Sequence, residues 1–164
     1  MVENTRLTVP TYLLRLEAVA PKGTILWEDY DEFLAQTETE IDAEAFHETS
    51  LARFAAFDLQ FLLTGHRYYV YSEDLDAVSP AELCCHTLLI DDGSRHRSYC
   101  LLLLSHVDVD ETDLREQAAK YGLEAEIDAS LRYLETHGDV DDDRLPAWNE
   151  FQELAADYEL PLPQ

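Results

Sequence analysis

The pair Asp92-Gly93 lies between two apolar segments and constrains the fold of this chain more than any other feature. Asp-Gly is a preferred central pair of a two-residue type I′ turn, which joins antiparallel strands. The flanking segments, 84–91 and 94–107, are therefore predicted to form a β-hairpin. In that register Cys85 faces Cys100, and both side chains lie on the buried face of the hairpin.

Other segments before residue 107 also have strand patterns. Residues 12–20 alternate apolar and polar side chains, and residues 24–27 and 67–71 are rich in residues that favour strands. Residues 41–50 are the exception, because they favour a helix with Asp42 as its N-cap.

Two interpretations of residues 51–64 stay open. The alternation around Phe57 and Phe61 favours a strand that would pair with the tyrosine-rich segment 67–71. Phe54, Phe57 and Phe61 also share one face of a helix, which Gly65 would end. The strand is the preferred interpretation, because a Gly65-His66 turn would make a short hairpin.

Three helices are predicted after residue 107. Asp110 is a candidate N-cap for the first, which ends near Gly122. The second spans about 124–136, and the third begins near Pro146. The chain is thus predicted to be a single α+β domain of residues 1–164, an antiparallel β-meander of about five or six strands followed by a helical C-terminal region. In this scheme residues 1–107 are mainly β, with one helix near 41–52, and residues 108–160 are mainly α.

The charge of the chain limits its partners. It has 35 Asp and Glu against 11 Lys and Arg, and its formal charge is −24. Nucleic acid and anionic membranes would repel it, so neither is expected as a direct partner. No apolar run approaches the length of a membrane span, and no signal peptide is evident, so a cytoplasmic protein is expected. Its three Cys are expected to be buried and free in a reducing compartment.

Motifs of enzymes are missing from the sequence. It has no G-x-S-x-G, no phosphate-binding loop and no dinucleotide-binding fingerprint. His47-Glu48 begins like a zinc-protease motif, but Leu51 stands where the second His would be. The chain is therefore expected to be no enzyme and to use no cofactor.

One segment has the carboxylate spacing of a calcium loop. Asp139, Asp141, Asp143 and Glu150 would occupy positions 1, 3, 5 and 12 of an EF-hand. Arg144 replaces the Gly expected at position 6, and Pro146 stands at position 8. The alternative, an acidic segment stabilised by the dipole of the following helix, is preferred, so no metal is expected.

The remaining hypothesis for function rests on the acidic surface. Rows of carboxylates can imitate a phosphate backbone and bind a basic nucleic-acid-binding protein, as anti-restriction, anti-CRISPR and nuclease-immunity proteins of antiviral defence do. The expected partner-binding residues are the acids of two segments: Glu28, Asp29, Asp31, Glu32, Glu38 and Glu40, and Asp139, Asp141, Asp142 and Asp143. The alternative is an ordinary cytoplasmic ligand-binding or complex-subunit domain of a salt-adapted organism, whose acidity is an adaptation.

Overall fold

The structure, a computed structural model, describes residues 16, 20, 22–29, 32–61 and 65–160. These residues form a four-stranded antiparallel sheet, one 3-10 helix and five α-helices. The α+β class is therefore confirmed. No helix in the described ranges is long and apolar enough to cross a membrane.

The four strands are not arranged as a meander. They are β1 (Thr24–Asp29), β2 (Glu32–Thr37), β3 (Phe46–Glu48) and β4 (Arg67–Tyr71), and their order in the sheet is β1-β2-β4-β3. Since β4 lies between β2 and β3, those two strands are neighbours in sequence but not in the sheet. The expectation of five or six strands in sequential order is thus not met within the described residues.

One 3-10 helix lies between β3 and β4, and five α-helices follow β4. Their shared core packs against one face of the sheet. They are the 3-10 helix Ser50–Phe57, α1 (Pro80–Ile90), α2 (Ser94–His106), α3 (Glu111–Tyr121), α4 (Glu124–Thr136) and α5 (Trp148–Asp157). The three helices expected after residue 107 are α3, α4 and α5. Asp110 caps α3 through its side chain, and Gly122 ends it in the left-handed conformation, as the sequence predicts.

The predicted hairpin around Asp92-Gly93 is wrong, because both arms are helical. Gly93 has a φ of −74° and is the N-cap of α2, so it needs no type I′ turn. Cys85 does not face Cys100 across a sheet. Instead, the Cys100 thiol donates to the backbone carbonyl of Cys84 at 3.6 Å, between the two packed helices. All three cysteines are free and buried, as expected.

Helix α1 and the middle of α2 are largely buried, and this explains the error. Seven of the eleven residues of α1 are buried, and α2 has a run of buried residues, Cys100 to Leu103. A helix without a polar face lacks the 3.6-residue period, and its short apolar runs resemble those of a buried strand. Within the part of residues 1–107 that the structure describes, helical residues outnumber strand residues.

Two further expectations for residues 41–64 are wrong. Residues 41–45 are not helical and Asp42 caps nothing, since β3 occupies Phe46–Glu48. Residues 50–57 form the 3-10 helix, so the strand interpretation fails there and the helical one is nearer. The predicted strand 12–20 lies largely outside the described residues. Leu16, which is described, is helical, and its carbonyl accepts from Ala20 N–H at 2.7 Å.

The sheet has a buried cluster on each face, because neighbouring residues of a strand point to opposite sides. Val70 packs into the helical core, whereas Tyr69 and Tyr71 belong to a second cluster that contains Phe33 and Leu16. Phe33 and Tyr71 are register partners whose rings stack at 5.2 Å. The tyrosines of β4 are thus mainly core residues rather than an exposed interface.

Candidate functional site

A pocket of about 310 Å³ lies where the sheet meets the first two helices. Its walls come from residues 48–52, which join β3 to the 3-10 helix, and from His66 with the first two residues of β4. Residues 90–91 at the end of α1, and Arg95 and His96 in the first turn of α2, complete them. We call it the basic pocket, because two arginines and two histidines line it. Its volume suits a small molecule.

The two arginines of the basic pocket differ in their partners. Arg67 Nη1 lies 3.3 Å from Glu48 Oε2, so a carboxylate already neutralises it. Arg95 has no carboxylate within salt-bridge distance among the described residues, and its Nε donates to the Tyr99 hydroxyl at 2.9 Å. The other pocket carboxylate, Asp91, accepts the Gly93 backbone N–H at 2.8 Å. Arg95 is therefore the cation available to an incoming anion.

Helix ends add to the attraction for anions. The first turns of the 3-10 helix and of α2 both line the basic pocket, and neither N-cap, Thr49 or Gly93, makes a side-chain capping bond. First-turn N–H groups lack partners within their helix and carry partial positive charge. Ser50, at this junction, has a φ of 64°, an unfavourable backbone conformation for a residue with a side chain.

A buried hydrogen-bond chain holds the wall of the basic pocket in place. His86 Nδ1 lies 2.8 Å from the Thr49 hydroxyl, and its Nε2 lies 3.0 Å from the Tyr121 hydroxyl. Burial and the nearby Lys120 lower the pKa of His86 to about 3, so the ring is neutral near pH 7. Since both ring nitrogens already have partners, His86 ties the 3-10 helix to α1 and α3 and is not free to bind a metal.

The first acidic segment is divided by the sheet. Glu28 and Asp29 are exposed at the end of β1, whereas Glu38 and Glu40 are exposed beyond the far end of β2. At about 3.3 Å per residue, the length of β2 separates these pairs by roughly 17 Å. Asp31 lies outside the described residues.

Glu32 differs from the other acids of this segment, because protein groups already bind its carboxylate. It accepts a hydrogen bond from the Ser72 hydroxyl at 2.5 Å and pairs with the Lys120 ammonium. Although burial opposes it, hydrogen bonding to Lys120 and Ser72 lowers the pKa of Glu32. This residue is therefore not available as a free contact for a partner.

In the second acidic segment, three of the four predicted residues are exposed and one is bound by other groups of the protein. Asp139, Asp141 and Asp143 are exposed, and none forms an ion pair with another described residue. Asp142 is half-buried, and its Oδ1 accepts the backbone N–H of Arg144 at 2.9 Å. Its Oδ2 lies 3.7 Å from the guanidinium of the buried Arg97. Asp142 therefore fixes this loop to the α1–α2 turn rather than facing a partner.

The candidate calcium loop is not assembled. Within the described residues, which include all of 139–150, no three His, Cys, Asp or Glu side chains are grouped to hold a metal ion. The Glu150 carboxylate instead accepts the Ala147 backbone N–H at 3.1 Å, at the start of α5. Arg144, in the place of the Gly, pairs with Asp92 at 3.1 Å. The loop thus uses its charges to fix a turn.

Exposed carboxylates are not confined to the two predicted segments. They occur in loops and on helices throughout the described chain, including Asp58, Asp74, Asp108, Glu116, Glu135 and Glu153. Such a distribution is what a generally hydrated acidic surface requires.

Comparison with known proteins places most of the chain in a protein family. A family model described as "HVO_2833_C, C-terminal" matches residues 43–160. The chain belongs to this family. The matched region runs from just before β3 to the end of α5, so it contains every residue of the basic pocket but neither β1 nor β2. No curated protein and no solved structure matches the chain.

The basic pocket was missed in the sequence because its residues come from separate elements. His66 and Arg67 are about thirty residues from Arg95 and His96, and no motif joins them. The incorrect hairpin also separated Arg95 from His96, because neighbouring residues of a strand point to opposite faces. The sequence offered one indication of such a site: basic residues are scarce in this chain, so a place where several of them meet is a candidate binding site.

Proposed function

We propose that this domain binds a small anionic ligand in the basic pocket. Its acidity then serves to hydrate a cytoplasmic domain of a salt-adapted organism, and its function is binding rather than catalysis. The observation that carries the proposal is the concentration of Arg67, Arg95, His66 and His96 around one pocket, in a chain with only 11 Lys and Arg and 6 His. The wide distribution of exposed carboxylates supports the second part.

Arg95 is the group of the pocket best placed to bind an anion, although the carboxylates of Glu48 and Asp91 also line the pocket. Because Glu48 already pairs with Arg67, and Asp91 is bound by the α1–α2 turn, an anion would find Arg95 unpaired. A guanidinium binds carboxylate and phosphate oxygens through two parallel hydrogen bonds. Arg95 Nε is taken by Tyr99, so its two Nη groups are the donors for the ligand.

Thermal unfolding in the presence of phosphate and of citrate tests the proposal. Ionic strength is held constant with NaCl, so that general screening does not contribute. At a concentration ten times Kd, a ligand bound only to the native state stabilises by about 1.4 kcal/mol, or about 3–6 °C in Tm. We expect such a rise for at least one of the two anions, and we expect Arg95→Gln to abolish it.

The matched control is Arg132→Gln. Arg132 is also an exposed helical arginine without a carboxylate partner among the described residues, but it does not line the basic pocket. This variant should retain the full rise in Tm. Equal loss in both variants would show a general charge effect, and the absence of any rise in the unmodified protein would reject the proposed function.

A second candidate function is that of an acidic protein that occupies the basic surface of a nucleic-acid-binding partner, as an inhibitor in antiviral defence would. The observation that favours it is the set of exposed acids without ion pairs to described residues: Glu28, Asp29, Asp139, Asp141 and Asp143. Affinity purification washed at low and high salt tests it. A basic partner should be retained at low salt, be released at high salt, and be lost when Asp139, Asp141 and Asp143 are changed to Lys.

A further inference from the structure

The hydrogen bonds of the two pocket histidines fix which nitrogen carries the proton in each neutral ring. His96 Nδ1 lies 2.9 Å from the Thr87 carbonyl oxygen, which can only accept. The proton of His96 is therefore on Nδ1, and Nε2 presents a lone pair. That nitrogen has no hydrogen-bond partner among the described residues, so it is free to accept a hydrogen bond.

His66 is held in the opposite tautomer. The amide nitrogen of Gln36 lies 2.8 Å from His66 Nδ1, and an amide nitrogen can only donate. With the Gln36 amide in this orientation, His66 Nδ1 is the acceptor and Nε2 carries the proton. The basic pocket thus has one histidine that donates and one that accepts, and these roles follow from groups outside the pocket.

We propose that the basic pocket selects anions that also carry a hydroxyl group, with the hydroxyl donating to His96 Nε2 and the anionic oxygens bound by Arg95. This inference rests on the proposed function and specifies its ligand class. Arg95 and His96 are consecutive residues in the first turn of α2, and both line the pocket. Hydroxycarboxylates have both groups within a few bonds of each other, so one small molecule can reach both residues.

A pair of acids that differ by one hydroxyl tests this inference in the unmodified protein. Malate and succinate have the same carbon chain and are both dianions at about pH 8. One additional hydrogen bond contributes about 0.5–1.5 kcal/mol, so we expect the better-binding malate enantiomer to have a Kd about twofold to tenfold below that of succinate. Isothermal titration calorimetry at constant ionic strength measures both constants.

Two variants test whether the preference for malate over succinate comes from His96 Nε2. In His96→Phe the acceptor is lost, so malate and succinate should bind with equal affinity. In His66→Phe a donor is lost, so both acids should bind more weakly while malate keeps its advantage. Far-UV circular dichroism and Tm confirm that each variant is folded.

The outcomes separate this inference from the proposed function. If both acids bind equally well to the unmodified protein and both depend on Arg95, the pocket binds anions and the selection for a hydroxyl is rejected. If neither acid nor phosphate nor citrate binds in a manner that depends on Arg95, the proposed function itself is rejected. Retention of the malate preference in His96→Phe would also overturn the role of His96.

Discussion

The guanidinium of Arg97 is completely buried, and its Nη1 lies 3.7 Å from the carboxylate of Asp142. Arg97 Nε donates to the Asp92 carbonyl at 2.5 Å, but Nη1 and Nη2 have no hydrogen-bond partner in the described chain. The Asp92 carboxylate is 3.8 Å away and largely exposed. Asp142 is thus the main counter-charge of a buried cation, and it joins the loop before α5 to the α1–α2 turn.

Asp142→Asn should therefore destabilise the protein strongly. Removing one partner of a buried ion pair leaves an uncompensated charge and costs about 3–5 kcal/mol. Because Asp142 is partly exposed and Asp92 remains nearby, we expect a smaller loss than this, about 2–3 kcal/mol, in urea unfolding. Asp143→Asn is the control, since Asp143 is exposed and should change the free energy of unfolding by no more than about 0.5 kcal/mol. Equal effects of the two variants would show that Arg97 does not need Asp142.

His86 should make the protein less stable as the solution becomes acidic. Its pKa is about 3 in the folded state, below the value of about 6.5 expected after unfolding. Between these values the unfolded state binds a proton that the native state does not, so stability falls with decreasing pH by about 1.4 kcal/mol per unit. His86→Gln, which has no titrating group, should lower the slope of unfolding free energy between about pH 6 and pH 4. Parallel slopes for the two proteins would contradict this assignment.

Ser79→Ala should weaken the start of α1. The Ser79 hydroxyl accepts the Glu82 backbone N–H at 3.2 Å, and Glu82 Oε1 lies 3.4 Å from the Ser79 backbone N–H. Loss of an N-cap of this kind costs about 1 kcal/mol, which corresponds to about 2–4 °C in Tm. Ser94→Ala, at the first position of α2, removes no such bond and should leave Tm nearly unchanged.

Salt should stabilise the domain. Its formal charge of −24 causes repulsion between carboxylates, which is reduced when NaCl rises from about 0.1 M to about 1 M and the Debye length falls from about 10 to about 3 Å. We expect Tm to rise over this range. A variant with Asp139, Asp141 and Asp143 changed to Asn should be more stable at low salt and gain less from added salt. A Tm that does not depend on salt would argue against adaptation as the origin of the acidity.

Helices with a solvent-exposed face were predicted correctly from the sequence, whereas the largely buried helix α1 was not. Helices α3, α4 and α5 each have a buried face and a solvent-exposed face, so the 3.6-residue period of their apolar residues was sufficient to predict them. For α3, the capping residues Asp110 and Gly122 also marked both ends. Helix α1 has no solvent-exposed face, so its apolar residues show no helical period. The sequence does mark its start, because Ser79-Pro80-Ala81-Glu82 has the spacing of a capping box with Pro at the first helical position. Giving that signal more weight than Asp92-Gly93 would have predicted α1 correctly.

The pocket and the ion pairs were less accessible to such reasoning. Whether Asp142 is free or bound depends on Arg97, which is 45 positions away and is buried by contacts that no local pattern encodes. The same holds for Glu32 and Lys120, which lie on β2 and α3. A charge count describes the chain as a whole. Whether a given carboxylate is free to bind a partner depends on whether the tertiary structure places a cation beside it.

The strand order β1-β2-β4-β3 has a consequence for dissecting the molecule. The family match begins at residue 43, but β2 (Glu32–Thr37) is hydrogen-bonded along the whole of β4, and Phe33 stacks on Tyr71. A fragment that starts at residue 43 would leave one side of β4 with unpaired backbone groups and would uncover aromatic rings. Such open edges recruit other chains, so the matched region, expressed by itself, should self-associate unless residues 24–37 are supplied as a separate peptide.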